Sequence, residues 1–355
     1  MEDLEDFVEY AFGDAQGTKW GSLRARDGRQ APYRPFMIEI GNENTLNYTL
    51  PEAHPCRDGC QNFTERWVER ALAMDAKAHH LSPALNLTFI VGFDAGIGGG
   101  QSCSQTTVRE SKASILQLAR LAVDLGARAV WDCHTGGDSP SDGNVTAQAL
   151  AELQSILAVR GSKMRAAVLE ENGGTHNMMR MLGHVTQNHA LSRLGDFVVV
   201  NTAATGLQPI GRNSNGWDQG NIYFTPQSAW LSPPAVATRM IKEVSEGLPH
   251  VLRLTVTHPG SSAPRLPLDA LASASSDGTK ISVRVANPSN ATVHALLRVD
   301  GWSTGAVVAT ELAADSASAV RAEAIASNTE VERLASAGWS FPSYSFATFL
   351  FVREQ

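Results

Sequence analysis

The sequence predicts a parallel α/β layer followed by an antiparallel β-sandwich. Three observations carry this. Between Phe36 and Ser245, short apolar runs alternate with amphipathic helical spacings five times, the pattern of consecutive βαβ units. In at least three of these the residue just past the strand is Glu, His or Asn. Polar groups at one end of several parallel strands converge on one site, as they do on the C-terminal face of an α/β barrel. After Leu248 the texture changes to alternating, β-rich runs separated by Asp277-Gly278, Asn287-Pro288-Ser289-Asn290 and Asp300-Gly301. The domains expected are residues 1–247 and 248–355.

In chain order, Leu4, Phe7, Val8 and Ala11 fall at helical spacing, and Gly13-Asp14 closes that helix. Thr18 to Ala25 reads as a loop with one aromatic. Phe36 to Ile40 is short and half β-branched, a buried strand that opens into Gly41-Asn42-Glu43. A polar loop over 44–64 leads to an amphipathic helix over 65–80 (Trp67, Val68, Ala71, Leu72, Met74, Ala78). Leu85 to Phe93 is the next strand; Gly96 to Gly100 is glycine-rich, but no P-loop Lys-Ser/Thr follows it. A helix over 107–125 precedes the strand Ala127 to Asp132, which ends at Cys133-His134. A helix over 145–160 precedes the strand Met164 to Leu169, which ends at Glu170-Glu171-Asn172. A helix over 176–193, the strand Phe197 to Asn201, a long polar loop to Tyr223 and a helix over 233–247 complete this part. The sandwich strands expected are 251–256, 280–286, 292–299 and 345–352.

The net charge of −7 and the absence of any basic run give no nucleic-acid-binding surface, and no apolar stretch is long enough to span a bilayer. Met1 to Asp6 is acidic and has no apolar core of the signal-peptide kind. Of the four cysteines, Cys56 and Cys60 share one polar loop and suit a bridge; Cys103 and Cys133 stand apart. Sequons occur at Asn47, Asn62, Asn86, Asn144 and Asn290, and with the Cys56–Cys60 loop they point to a secretory route.

Two carboxylates at the ends of two barrel strands suit retaining glycoside hydrolysis, in which one protonates the leaving oxygen and the other attacks the anomeric carbon. Glu43 is the acid/base in this reading, and Glu170 or Glu171 the nucleophile. Asn42 stands where it can bond a sugar 2-hydroxyl, and His134 where it can orient a carboxylate. Trp217 and Trp230 are candidates for stacking on sugar faces. The chemistry needs no cofactor and no metal. His176 and His184, two turns apart on one helix, read as surface residues.

Several stretches together resemble the α-L-arabinofuranosidases of glycoside hydrolase family 51. Phe7-Val8-Glu9-Tyr10, Lys19 to Ala25, Asp27-Gly28 and Pro32-Tyr33 are similar to the family's approach to its acid/base. Ile38-Glu39-Ile40-Gly41-Asn42-Glu43 is similar to its acid/base strand, Asp132-Cys133-His134 to its Asp-x-His strand end, and Arg165 to Glu170 to its nucleophile strand. Asp196 to Val199, Trp217-Asp218 and Ile222-Tyr223-Phe224 resemble later landmarks. The resemblance implies a partial (β/α)8 TIM barrel, strands four to eight, with a C-terminal sandwich. It also implies release of terminal α-L-arabinofuranosyl residues from arabinose-containing oligo- or polysaccharides. Glu170 is the preferred nucleophile and Glu171 the alternative; Asn42, His134, Gln208 and Trp217 are the substrate-binding set. Here the pattern departs from the family in three places: Glu-Glu-Asn-Gly replaces the aromatic after the nucleophile, the loop after Glu43 carries an insert, and Ala204 to Pro209 differs from the usual substrate loop.

Two other readings compete. One is another glycosidase on the same barrel with a different sugar preference. The other is an inactive carbohydrate-binding or structural fragment, since a partial barrel leaves strand edges that favour association with a second copy.

Overall fold

The structure, a computed structural model, describes residues 2–42, 63–91, 103–110, 112–211, 217–257, 268–302 and 305–353. Glu43, Asn47, Cys56, Cys60, Asn62 and the Gly96–Gly100 stretch lie outside the described residues. Two compact units divide the chain. The first takes Met1–His134, Gln148–Leu169 and Asp196–Val200; the second takes Thr135–Ala147, Glu170–Gly195 and Asn201–Gln355.

The first unit opens with α1 (Glu2–Phe12) and α2 (Lys19–Arg26). The stretch expected as a loop is therefore helical. Thr18 is its N-cap, its hydroxyl accepting from the Gly21 N–H at 3.1 Å, which satisfies one of the donors a short helix leaves open. Arg24 of α2 is fully buried and donates to the carbonyls of Tyr10 (2.7 Å), Arg29 (3.2 Å) and Gln30 (3.0 Å). Those bonds tie α1 to the segment that leads into the sheet. α3 (Phe63–Leu81) buries Trp67, Val68, Ala71, Met74 and Ala78, one face of a 3.6-residue repeat. α4 (Gln105–Glu110) and α5 (Lys112–Leu121) stand in place of the single helix expected over 107–125, and α6 (Asp142–Ala158) follows.

Strands β1 (Met37–Ile40), β2 (Thr88–Val91), β3 (Ala129–Asp132), β4 (Thr135–Gly136), β5 (Arg165–Asn172) and β6 (Val198–Ala203) form one sheet of order β1-β2-β3-β5-β4, with β6 also paired to β5. The ladders β1–β2, β2–β3 and β3–β5 are parallel, in registers such as Ile40↔Val91, Val91↔Trp131 and Asp132↔Ala167. Ile90, Val130 and Ala167 pack together with Leu169, Val199 and Val200. β1 differs from the buried strand expected: only Ile40 is buried, while Phe36 and Met37 are 37% and 44% exposed. Among the described residues β2 is its one neighbour, so β1 is an edge.

In the second unit, β7 (Thr205–Pro209), β8 (Gly220–Phe224) and β9 (Ala229–Leu231) build a small sheet over the stretch expected as one long polar loop. α7 (Met178–Ser192) precedes this sheet in the chain and α8 (Pro233–Ser245) follows it. Then β10 (His250–Leu252), β11 (Asp269–Ala274), β12 (Lys280–Asn287), β13 (Val293–Ala295), β14 (Ala306–Leu312), β15 (Ala324–Glu330), α9 (Val331–Ser336), β16 (Trp339–Phe341) and β17 (Ser345–Val352) complete the chain. Six of these strands form an antiparallel sheet of order β10-β11-β12-β17-β14-β15, and β13 pairs with β16. Phe341, Phe349 and Phe351 sit in the core beneath them, each stabilising by about 1.5–3 kcal/mol relative to an exposed ring.

The compact units part elsewhere than at residues 247 and 248. Met178, Met181, Leu182 and Val185 of α7 and Val236, Ala237 and Met240 of α8 share a core with Ala286, Leu312 and Phe346. Among the described residues no helix is long and apolar enough to cross a membrane.

Candidate active site

The two neighbouring glutamates at the end of β5 have opposite surroundings. Successive side chains of a strand point to opposite faces. Glu171 is 1% exposed and meets α7: its two carboxylate oxygens each lie 2.9 Å from Nδ1 of His184. The Asn201 side-chain N–H donates to Oε2 at 3.2 Å. Burial by itself raises the Glu171 pKa, but the charge and hydrogen bond of His184, with Arg180 and Asn201, outweigh it and hold the carboxyl below its ordinary value. Glu170 is half-buried, and the Asn172 side-chain N–H donates to its Oε2 at 3.3 Å.

The turn that follows is pinned from α7 and β8. Arg180, 2% exposed, donates to the carbonyls of Asn172 (2.7 Å) and Glu171 (3.0 Å). The Gly173 N–H donates to Oε1 of Gln219 at 2.7 Å, and the Gly174 N–H to Oδ2 of Asp138 at 2.8 Å. His176 then places Nδ1 2.7 Å from Oδ2 of Asp218 and stacks on Tyr223, ring centroids 4.0 Å apart. The Tyr223 hydroxyl donates to the other Asp218 oxygen at 2.7 Å; burial, then that bond, push its pKa well up. His176 and His184, expected on the surface, are both buried: His176, just before α7, against Asp218 and Tyr223, and His184, on α7, against Glu171.

Gln208 and Trp217 of the expected substrate set lie in this same unit. Gln208 is buried; its amide N–H donates to the Trp217 carbonyl at 2.8 Å, and its oxygen accepts from the N–H groups of Gln219 (3.1 Å) and Gly220 (2.7 Å). It thus holds the Trp217 backbone, and the Trp217 side chain is 44% exposed. Gln219, which sequence reasoning passed over, bridges Gly173 and the Thr205 hydroxyl (3.1 Å). The signal available was its place beside Trp217-Asp218.

In the first unit, β3 ends in a buried pair. Nε2 of His134 lies 2.8 Å from Oδ2 of Asp132, and Oδ1 of Asp132 accepts from the N–H groups of Cys133 and Leu169, each at 2.8 Å. Asp132 so joins the ends of β3 and β5 while orienting the imidazole. Cys133 between them is bridged to Cys103, with Cα atoms 5.5 Å apart. β1 ends at Ile40, and Gly41 after it takes a φ of +84°, which is open to glycine, before the exposed Asn42. Among the described residues no group of acidic, His or Cys side chains is arranged to hold a metal.

A half-buried carboxylate, Glu170, thus stands at a strand end fixed by Arg180, Gln219 and Asp138. The family model for the alpha-L-arabinofuranosidase 1 domain matches residues 1–91. A probable alpha-L-arabinofuranosidase A of Aspergillus oryzae is 38% identical over 76 residues, 21% of this chain and 10% of that protein. Alpha-L-arabinofuranosidase 1 of Arabidopsis thaliana is 46% identical over 44 residues, 12% of this chain and 6% of that protein. Among solved structures, the alpha-L-arabinofuranosidase of Thermotoga maritima in its arabinose complex superposes with a TM-score of 0.65 at 17% identity, covering 98% of this chain and 72% of that one. The family 51 enzyme of Thermotoga petrophila gives 0.68 at 16%, covering 98% and 73%. At such identities the structural likeness speaks for the fold. The fold is that of a partial α/β barrel. Over its first 91 residues the chain is similar to α-L-arabinofuranosidases. The sequence match spans about a tenth of the length of the first curated relative.

Proposed function

We propose that this protein releases terminal α-L-arabinofuranosyl residues from arabinose-containing oligo- and polysaccharides, with retention, by double displacement. Glu170 attacks the anomeric carbon as nucleophile. Glu43 protonates the departing oxygen and then deprotonates the water that cleaves the glycosyl-enzyme. Asn42, His134 and Trp217 serve the bound sugar, with Gln208 setting the Trp217 backbone. The observation that carries the assignment is the contrast at the end of β5: Glu171 is shut in by His184 and Asn201, and Glu170, on the other face, is half-buried.

In this reading β1, β2, β3, β5 and β6 are strands four to eight of an eight-stranded barrel, residues 1–247 are the catalytic part, and residues 248–355 are a β-sandwich. The exposed edge of β1 favours pairing with another copy. The Cys103–Cys133 bridge supports an oxidising, secretory route, as do the exposed sequon residues Asn86, Asn144 and Asn290.

The test is chemical rescue. Glu170→Gly is expected to abolish hydrolysis of an aryl arabinofuranoside. Azide is expected to restore turnover, with a glycosyl azide of inverted configuration as product. Rescue at Glu171→Gly alone sinks the assignment.

A further inference from the structure

A fully buried carboxylate stands one residue from Glu170, on the opposite face of the same strand. Such a group is costly to bury without a hydrogen-bonding partner, and here it has one in the His184 imidazole. The imidazole is itself seated: Nε2 lies 2.9 Å from the Thr238 hydroxyl oxygen on α8, and that hydroxyl donates to the Pro234 carbonyl at 2.9 Å. Arg180, one turn before His184 on α7, holds the backbone carbonyls of Glu171 and Asn172. The Ala204 N–H donates to the Glu171 carbonyl from the other side at 3.3 Å. The Glu171 residue is therefore held by its side chain and by its backbone at once. Glu170 and Glu171 share a planar peptide unit, so the plane from which the Glu170 side chain departs is held with them.

We propose that His184, seated on Thr238, is a positioning residue for the nucleophile. Through Glu171 it keeps the end of β5 in the one orientation that aims the Glu170 carboxylate at an anomeric carbon. It touches no substrate. The inference rests on Glu170 being the nucleophile, and its test separates the two claims.

The probe is an arabinofuranose-configured cyclitol aziridine. The nucleophile's carboxylate oxygen bonds to the ring carbon, the carbon–nitrogen bond breaks, and the nitrogen takes a proton, leaving an ester that peptide mass spectrometry locates. The native chain is expected to carry the ester on Glu170. His184→Gln is expected to keep KI and lower kinact on the order of 100-fold, the scale of a misplaced reacting group. Thr238→Ser is expected to match the native chain. Glu171→Gln combined with His184→Gln leaves no unpaired buried charge and is expected to show the same loss. Thr238→Val, at an exposed position on α8 that tolerates change, is expected to lower kinact on the order of 10-fold, as loss of a supporting partner does. Labelling at Glu170 with native kinact in these variants overturns the inference alone. An ester on Glu171, or none in the native chain, overturns the Glu170 assignment and the inference with it.

Discussion

The guanidinium of Arg180 fills the space that a side chain on Gly173 would need: a Cβ built there overlaps Nη1. The glycine is fixed by packing, since its own turn follows directly from the strand that carries Glu170. Gly173→Ala must expel Arg180 and so release the carbonyls of Glu171 and Asn172. The expected loss is about 2–4 kcal/mol of stability, from overpacking and from the carbonyls left without their donor. Denaturant unfolding measures it. Gly174→Ala is the control, because the nearest atom to its Cβ is Oδ2 of Asp138 at 3.7 Å, an ordinary contact.

Acid should weaken the second unit in two stages, set by His189 and Asp269. His189 is fully buried, and burial lowers its pKa to about 4 despite the Asp269 carboxylate 3.3 Å from Nδ1. A folded pKa below the unfolded value of about 6.5 means that the neutral form is favoured in the fold. Its contribution is complete above pH 6.5 and is lost as pH falls toward 4, on the order of 3 kcal/mol. Asp269 is raised by burial but lowered more by His189 and Arg193, to about 2. Its contribution is present above its unfolded value of about 3.9 and is lost as pH falls toward 2. His189→Gln keeps a donor for Asp269 and removes the first stage. Urea midpoints between pH 7 and pH 4 should fall for the native chain and stay nearly level for the variant; parallel curves would refute the assignment to His189.

The Cys103–Cys133 bridge closes a loop of 30 residues between the start of α4 and the end of β3. Removing it with Cys103→Ser and Cys133→Ser should cost about 3–4 kcal/mol, mainly by freeing the unfolded chain. Because Cys133 lies between Asp132 and His134, the loss should be accompanied by weaker substrate binding. Non-reducing peptide mapping should find Cys103 joined to Cys133; a different pairing would remove the basis of this expectation.

The parallel layer was legible because hydrophobic period and strand-end residues point the same way at β2, β3 and β5. The α2 helix was missed because its mean composition is polar and its evidence is one cap, Thr18, whose bond to Gly21 is a matter of geometry. The small sheet β7–β9 was missed for a related reason. Its strands are held by a polar hub, the Gln208 oxygen with its N–H donors at Gln219 and Gly220, and polar hubs leave no period in the sequence. Alternation in β5 separates Glu170 from Glu171 but cannot say which face carries the substrate. The partners do bear on that, and they come from residues 13 and 30 positions away, His184 and Asn201. His184 was misread because helical spacing cannot register that α7 is covered by β5 on one side and by residues such as Phe346 on another. His176 was misread because it precedes that helix and packs on Asp218 and Tyr223.

The acid/base assignment rests on Glu43, which follows the Gly41-Asn42 turn out of β1. An acid assists in proportion to the basicity of the departing oxygen, so its removal should be selective. With a dinitrophenyl arabinofuranoside, Glu43→Ala should keep most of its glycosylation rate, since that phenolate leaves without a proton. With an alkyl arabinofuranoside or an arabino-oligosaccharide, the same variant should lose on the order of 100- to 10,000-fold. The second step loses its base with every substrate, so the activated aryl glycoside should show a burst as glycosyl-enzyme accumulates. Azide, which needs no base, should speed that second step and give a glycosyl azide of retained configuration, opposite to the product expected from Glu170→Gly. Equal losses for good and poor leaving groups, without a burst, would take the role from Glu43.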